Sequence, residues 1–250
     1  MNSSSKGKVT DMAPMTEHTA KAFDADLQDL ARDVAEMGGL AEKQIADSVD
    51  ALVKRDGARA QRVITADDAI DALQHAIEEK SVLTIARRQP MAVDLREIVG
   101  ALRISNDLER VGDLAKNIGK RVIALTDDFY PQKLLRGVEH MASMVLTQLK
   151  KVLDAYARRN IEEALAVWKG DEQIDSMCTS LFRELLTYMM EDPRNITFCI
   201  HLMFCAKNIE RMGDHATNIA ETVHYMVEGH PIPDQRPKGD DTTFAKASAT

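Results

Sequence analysis

The chain has 250 residues, 44% of them apolar but only 4% aromatic, and its 40 acids outnumber 32 Lys and Arg for a formal charge of −8. That balance argues against broad nucleic-acid binding, which needs a basic surface to displace counterions. A core poor in aromatics, in a chain rich in Ala, Leu, Ile, Met, Glu, Lys and Arg, points to packed helices rather than a β-sandwich.

In chain order, the opening "MNSSSKGKVTDMAPM" has no apolar core and does not read as a signal peptide. Residues 1–14 are expected to form a disordered tail. Six helices are predicted, over residues 15–54, 58–88, 92–125, 132–158, 160–190 and 194–228. Proline costs about 3 kcal/mol inside a helix, and Pro90, Pro131 and Pro193 all fall between the periodic segments. "RDG" at 55–57 breaks the first helix from the second. "RRN" at 158–160 does the same in the second half, with Asn160 as the N-cap. The tail from 229 to 250, "GHPIPDQRPKGDDTTFAKASAT", is polar and proline-bearing, and disorder is expected there. Cys178, Cys199 and Cys205 all fall in predicted helices and read as buried reduced thiols. No run of about 18 apolar residues is present to span a membrane, and the expected location is cytoplasmic.

Helices of about 30 residues are on the order of 45 Å long, and short connections make sequence neighbours antiparallel. Three such helices make one bundle and six make two. Internal repetition supports that division. "ERVGDLAKNIGKRV" (109–122) and "ERMGDHATNIAETV" (210–223) are identical at eight of fourteen positions, at an offset of 101. "DDAIDAL" (67–73) matches "DEQIDSM" (171–177) at an offset of 104, and Asp56 matches Asn160 at that same offset. The second unit therefore lacks three residues, placed near Pro193. The fold class is all-α: two tandem, internally repeated three-helix bundles, one over 15–125 and one over 132–228.

The repeated segments are rich in carboxylates. Asp67 and Asp71, Glu109 and Asp113, Asp171 and Asp175, and Glu210 and Asp214 are four i,i+4 acid pairs, two per unit. Like charges at this spacing weaken a helix, so something cationic is expected to offset them. At 100° per residue, Glu109, Asp113 and Asn117 continue the meridian of Leu95, Ile98 and Leu102. Glu210, Asp214 and Asn218 continue that of Ile196, Cys199, Met203 and Ala206. Val111, Ala115, Ile118 and Val122 form an apolar face roughly opposite. The acids thus extend a packing stripe, where a carboxylate needs a counter-cation. Carboxylates and an amide oxygen are hard ligands suited to Mg, Ca, Mn or ferric iron. Taken singly, each pair reads equally as a solvated or salt-bridged face. Gly112 and Gly213, inside the motifs, each cost about 1 kcal/mol relative to Ala and imply a close approach there.

Catalytic signatures are absent: there is no G-x-x-x-x-G-K-[ST], G-x-G-x-x-G or G-x-S-x-G. A di-iron carboxylate enzyme on a bundle needs two E-x-x-H motifs. Only Glu221–His224 has that form, and the first unit has Lys120 and Ile123 in its place. His215 and Trp168 read as a polar helix residue and a packing residue.

"QPMAVDLREIVGALRISNDLERVGDLAKNIGKRV" (89–122) and "NIERMGDHATNIAETVHYMVEG" (208–229) closely resemble the two unit signatures of the PhoU family of phosphate-specific transport accessory proteins. "DDAIDALQHAIEEKSVLTIARRQP" (67–90) fits the same pattern, and the resemblance covers about residues 15–230. It implies two similar three-helix bundles and a non-enzymatic negative regulator of the phosphate-starvation (Pho) response. Such proteins connect the phosphate ABC transporter, through its ATPase subunit PstB, to the sensor histidine kinase PhoR, and favour dephosphorylation of the response regulator PhoB when phosphate is ample. The resemblance also implies a homodimer, membrane contact only through partner complexes, and multinuclear metal binding by E/D-x-x-x-D motifs. The matching positions here are Asp67, Asp71, Glu109, Asp113, Asp171, Asp175, Glu210 and Asp214, with Asn117 and Asn218 completing the stripe. Iron, zinc, manganese and magnesium are all open as the metal. The runner-up reading is a carboxylate-bridged metalloenzyme; a third, direct action on DNA, is disfavoured by the acidic balance.

Overall fold

A computed structural model describes residues 13–125, 132–234 and 236, with side chains from residue 22 onward except at Gln132. The helices are α1 (Ala13–Lys54), α2 (Gly57–Arg88), α3 (Val93–Ala124), α4 (Leu135–Arg158), α5 (Ile161–Glu191) and α6 (Ile196–Glu228). Short 3-10 turns at Gln132–Leu134 and Pro193–Asn195 lead into α4 and α6. No strand is present among the described residues. Of the tails expected over 1–14 and 229–250, residues 1–12, Gln235 and 237–250 lie outside the described residues.

The two breaks have the same local chemistry. Arg55 and Arg159 adopt positive φ, 57° and 53°, which ends the preceding helix. Asp56 and Asn160 then cap the next helix, their side chains accepting from the backbone N–H of Arg59 and Glu163. Both junctions between second and third helices are four residues long, 89–92 and 192–195, and the second carries the 3-10 turn Pro193–Asn195.

In each unit the three helices pack on one another, α1 with α2 and α3, and α4 with α5 and α6. The two bundles join through α3 against α6 and α1 against α4. Across α3 and α6, Asp107 meets His215 and Asn218, Arg121 stacks on Phe204, and Arg96 donates to the carbonyl of Met226. These pairings run in opposite directions along the two helices. The helices are antiparallel, and the two ERxGD motifs lie side by side near the middle of their contact.

The apolar face predicted on α3 is the core face: Val111, Ala115, Ile118 and Val122 are fully buried. Gly112 and Gly213 sit where side chains from α2 and α5 press in. A Cβ at Gly112 would lie 3.0 Å from Ile70 Cδ1, and one at Gly213 would lie 3.0 Å from Ile174 Cδ1. Ile70 and Ile174 are themselves repeat partners at the offset of 104, so the two costly glycines answer one duplicated packing contact. All three cysteines are buried thiols outside any disulfide, as expected, and burial pushes the Cys205 thiol up to about 12. Apolar side chains are exposed at the α2–α3 end (Val82, Met91, Leu95) and at the α5–α6 end (Leu186, Met190, Ile196).

Candidate functional site: two acidic clusters

Each bundle gathers its four carboxylates between its second and third helices. In the first, Asp67 and Asp71 come from α2, and Glu109 and Asp113 from α3. Asp67 is 1% exposed. Its Oδ1 accepts from Gln44 Nε2 at 3.1 Å and its Oδ2 from Lys116 Nζ at 2.6 Å. The same ammonium reaches Asp113 Oδ1 at 3.5 Å. Lys116 is therefore the cation that lets the first cluster exist in a partly buried place, and these contacts raise its own pKa, the hydrogen bond to Asp67 foremost. Even so, the cluster is over-charged. Burial first, then the charge of Asp67, pushes the Asp71 carboxyl above the ordinary range. Burial also raises Glu109, with Arg110 working against the shift and Asp113, Asp71 and Asp67 adding to it.

The second cluster joins Asp171 and Asp175 of α5 to Glu210 and Asp214 of α6. Asp171, Asp175 and Glu210 are all buried. Here the bridging cation is Arg236. Its Nε and Nη2 lie 2.9 and 2.8 Å from Asp171 Oδ2, and Nη2 donates to Asp214 Oδ1 at 2.5 Å. Thr217 Oγ1 donates to Asp171 Oδ1 at 3.2 Å, and Lys207 Nζ to Glu210 Oε1 at 2.7 Å. Burial raises the Asp171 carboxyl against the pull of Arg236. It raises Glu210 against the hydrogen bond from Lys207, with Asp214 and Asp175 adding to the rise.

The two amides leave the stripe. Asn117 is exposed, and Asn218 donates to Asp107 Oδ1 of α3 at 3.2 Å instead of joining the acids. The reason is helical drift. Each four-residue step advances 40° beyond a full turn, so two steps from Glu109 carry Asn117 out to solvent and two from Glu210 carry Asn218 round to the other bundle. Leu95 (37% exposed) and Ile196 (41%) lie five whole turns before Asp113 and Asp214, on the same meridians, and are exposed because α3 and α6 begin there. The lone E-x-x-H is not a site either: Glu221 accepts from Trp168 Nε1 at 3.0 Å, while His224 Nδ1 contacts the carbonyl of His230.

Among the described residues at the two clusters, two buried acceptors have no hydrogen-bond partner: Gln44 Oε1, beside Asp67, and Glu210 Oε2. Gln44 uses its NH2 on Asp67 and the Val63 carbonyl, which fixes its oxygen as the orphan. Hard oxygen acceptors left unpaired among carboxylates suit a hard cation. No group of three Asp, Glu, His or Cys stands ready as a metal site among the described residues; the acids converge on an ammonium and a guanidinium instead. Gln44, Lys116 and Arg236 were not singled out from the sequence. For Lys116 the signal was present, as the mismatch of Lys116 with Thr217 inside otherwise matching motifs.

The burial of Glu210 has a measurable consequence. Its folded pKa is raised, so its contribution to stability is present below the ordinary carboxylate value and lost as pH rises through the folded one. At pH 7 its charge is a cost. Glu210→Gln, in chelator, should therefore raise Tm at pH 7 by about 2 °C, and the gain should vanish below about pH 4. Calorimetry at the two pH values checks this; a lower Tm at pH 7 would show Lys207 outweighing burial.

Comparison with known proteins decides the family. The sequence profile of the PhoU domain matches residues 34–122 and again 138–223. The chain belongs to the PhoU family. It is 59% identical over 233 residues to the phosphate-specific transport system accessory protein PhoU homolog of Rhizobium meliloti, covering 93% of this chain and 98% of that protein. The homolog of Caulobacter vibrioides is 52% identical over 226 residues, 90% and 98% of the two chains. The crystal structure of PhoU from Pseudomonas aeruginosa superposes with a TM-score of 0.80 at 41% identity, covering 83% of this chain and all of that one. The PhoU from Streptococcus pneumoniae gives 0.78 at 27% identity, over 84% and 99%. The PhoU family is one of regulatory accessory proteins, not enzymes. Each PhoU match contains one whole acidic cluster, whereas Arg236 lies beyond both. No helix among the described residues is long and apolar enough to cross a membrane.

Proposed function

We propose that this chain restrains the phosphate-starvation response and modulates phosphate uptake, as a cytoplasmic adaptor between the phosphate ABC transporter, through its ATPase subunit PstB, and the sensor kinase PhoR. The observation that carries the reading is near-complete likeness, 59% identity over 93% of the chain, to a phosphate-specific transport system accessory protein. The chain acts as a homodimer in this reading and reaches the membrane only through its partners. The exposed apolar side chains at the two helix ends offer surface for such contacts.

The acidic clusters supply the adjustable element. Asp67, Asp71, Glu109 and Asp113, with the orphan oxygen of Gln44, would hold a cation in the first bundle. Asp171, Asp175, Glu210 and Asp214 would hold one in the second. Such a cation supplies charge that the raised carboxyls of Asp71, Glu109, Asp171 and Glu210 call for. A bound ion biases the shape that partners read, and a differential affinity of a few kcal/mol is enough to shift such an equilibrium. Physical association tests the adaptor. Crosslinked in phosphate-replete cells, the chain should bring down the transporter ATPase or the sensor kinase; a folded, expressed chain that brings down neither contradicts the reading.

A further inference from the structure

The two clusters are duplicates in their acids but not in their cations. Lys116 bridges Asp67 and Asp113 in the first. In the second, Arg236 bridges Asp171 and Asp214, which are the repeat partners of Asp67 and Asp113. The repeat partner of Lys116 is Thr217. Its hydroxyl serves Asp171 and the Gly213 carbonyl and brings no charge. The second bundle thus has no helix-borne cation at this position, and a residue beyond the last helix fills the place.

α6 ends at Gly229, in the left-handed conformation with φ of 82°. The chain then doubles back along α6. The His230 carbonyl meets His224, Ile232 packs against the core, and Pro231, Ile232 and Asp234 wall a groove of about 350 Å³ with Arg103, Asp107 and Tyr225. Arg236 reaches Asp214 and Asp171 at the end of this run. Lys116 is carried by the middle of α3, whereas Arg236 is carried by a short run with few buried contacts. Segments of that kind open at low free energy, without unfolding a helix.

We propose that residues 230–234 and Arg236 form a strap that closes the second acidic cluster, and that a divalent cation and this guanidinium compete for the cluster, so that cation uptake there releases the strap. The inference rests on the cation-binding reading above and adds that the two bundles respond differently: the first exchanges its ion against a helical side chain, and the second converts the exchange into movement of the tail. Glu210 Oε2, buried and unpartnered, gives an incoming ion an acceptor that Arg236 leaves unused.

The test uses the full chain with Glu109→Gln and Asp113→Asn, which leaves the second cluster as the acidic site, and Mn²⁺ as the probe. A dye is attached at Lys238→Cys; the native cysteines are buried. Arg236→Ala should tighten Mn²⁺ binding about tenfold in calorimetry, and Mn²⁺ should lower the anisotropy of the dye when Arg236 is present. Thr217→Lys, which restores a helix-borne cation, should lower the anisotropy without metal. Should the first-cluster substitutions unfold the chain, the same comparison in the otherwise unaltered chain reads the second site as the binding component that Arg236→Ala shifts. Equal Mn²⁺ affinity with and without Arg236, or binding that leaves the dye unchanged, overturns the strap while the cation reading stands. Failure of both chains to bind Mn²⁺ overturns the cation reading and the strap together.

Discussion

The chain carrying Glu109→Ala, Asp113→Ala, Glu210→Ala and Asp214→Ala together should remain folded, lose at least roughly a hundredfold in divalent-cation affinity, and fail to hold down phosphate-starvation genes when phosphate is ample. Each cluster would keep only an i,i+4 pair of aspartates from one helix, Asp67 and Asp71 or Asp171 and Asp175, too few ligands on one side to enclose an ion. The fold should survive because the structural partners are elsewhere. Lys116 keeps Asp67, and Arg236 keeps Asp171. Lys207, whose side chain is half exposed, can turn to water. Removal of like charges from partly buried carboxylates offsets the lost ion pairs, so the net stability change is expected within about 1 kcal/mol. Calorimetric titration and a starvation-gene reporter check the two arms. Full cation loading together with full repression would reject the role given to the clusters.

Trp168→Ala should be among the most destabilising single substitutions, at about 3–5 kcal/mol. Trp168 is 3% exposed, lies one turn before Asp171 on α5, and donates its indole N–H to Glu221 of α6 at 3.0 Å. Truncation opens a large cavity between those helices and strips Glu221 of its donor. Trp168→Phe separates the two terms: it keeps most of the volume and loses the hydrogen bond, for about 1 kcal/mol. Urea unfolding followed by far-UV circular dichroism measures both, since the chain has one tryptophan and fluorescence would be lost. A cost below about 1 kcal/mol for Trp168→Ala would mean that the second bundle closes up freely around the gap.

The helices and their repetition were legible because each is written locally. Asn160 announces its cap, Asp56 marks the matching break, Pro193 marks a junction, and the apolar face Val111–Ala115–Ile118–Val122 repeats at helical spacing. The acid pairs were legible for the same reason, since i,i+4 spacing and duplication need no tertiary knowledge. What escaped depends on contacts across the fold. Asn117 and Asn218 share a motif with the acids, yet 40° of drift per step separates them from it, and only the packing of α3 on α6 shows that Asn218 belongs to Asp107. Gln44 is an isolated residue of α1, 23 positions from the Asp67 it contacts. Arg236 lies in a stretch whose polar, proline-bearing composition points to disorder; a single guanidinium seated between two carboxylates leaves no trace in composition.

If the acidic clusters set the shape that partners read, their loss should weaken partner contact. The most direct measurement is quantitative crosslinking and mass spectrometry in phosphate-replete cells, comparing the unaltered chain with the four-acid variant at equal expression. The unaltered chain should recover the transporter ATPase or the sensor kinase, and the variant several-fold less. Equal recovery by two folded chains would contradict it, leaving the clusters without a part in partner recognition.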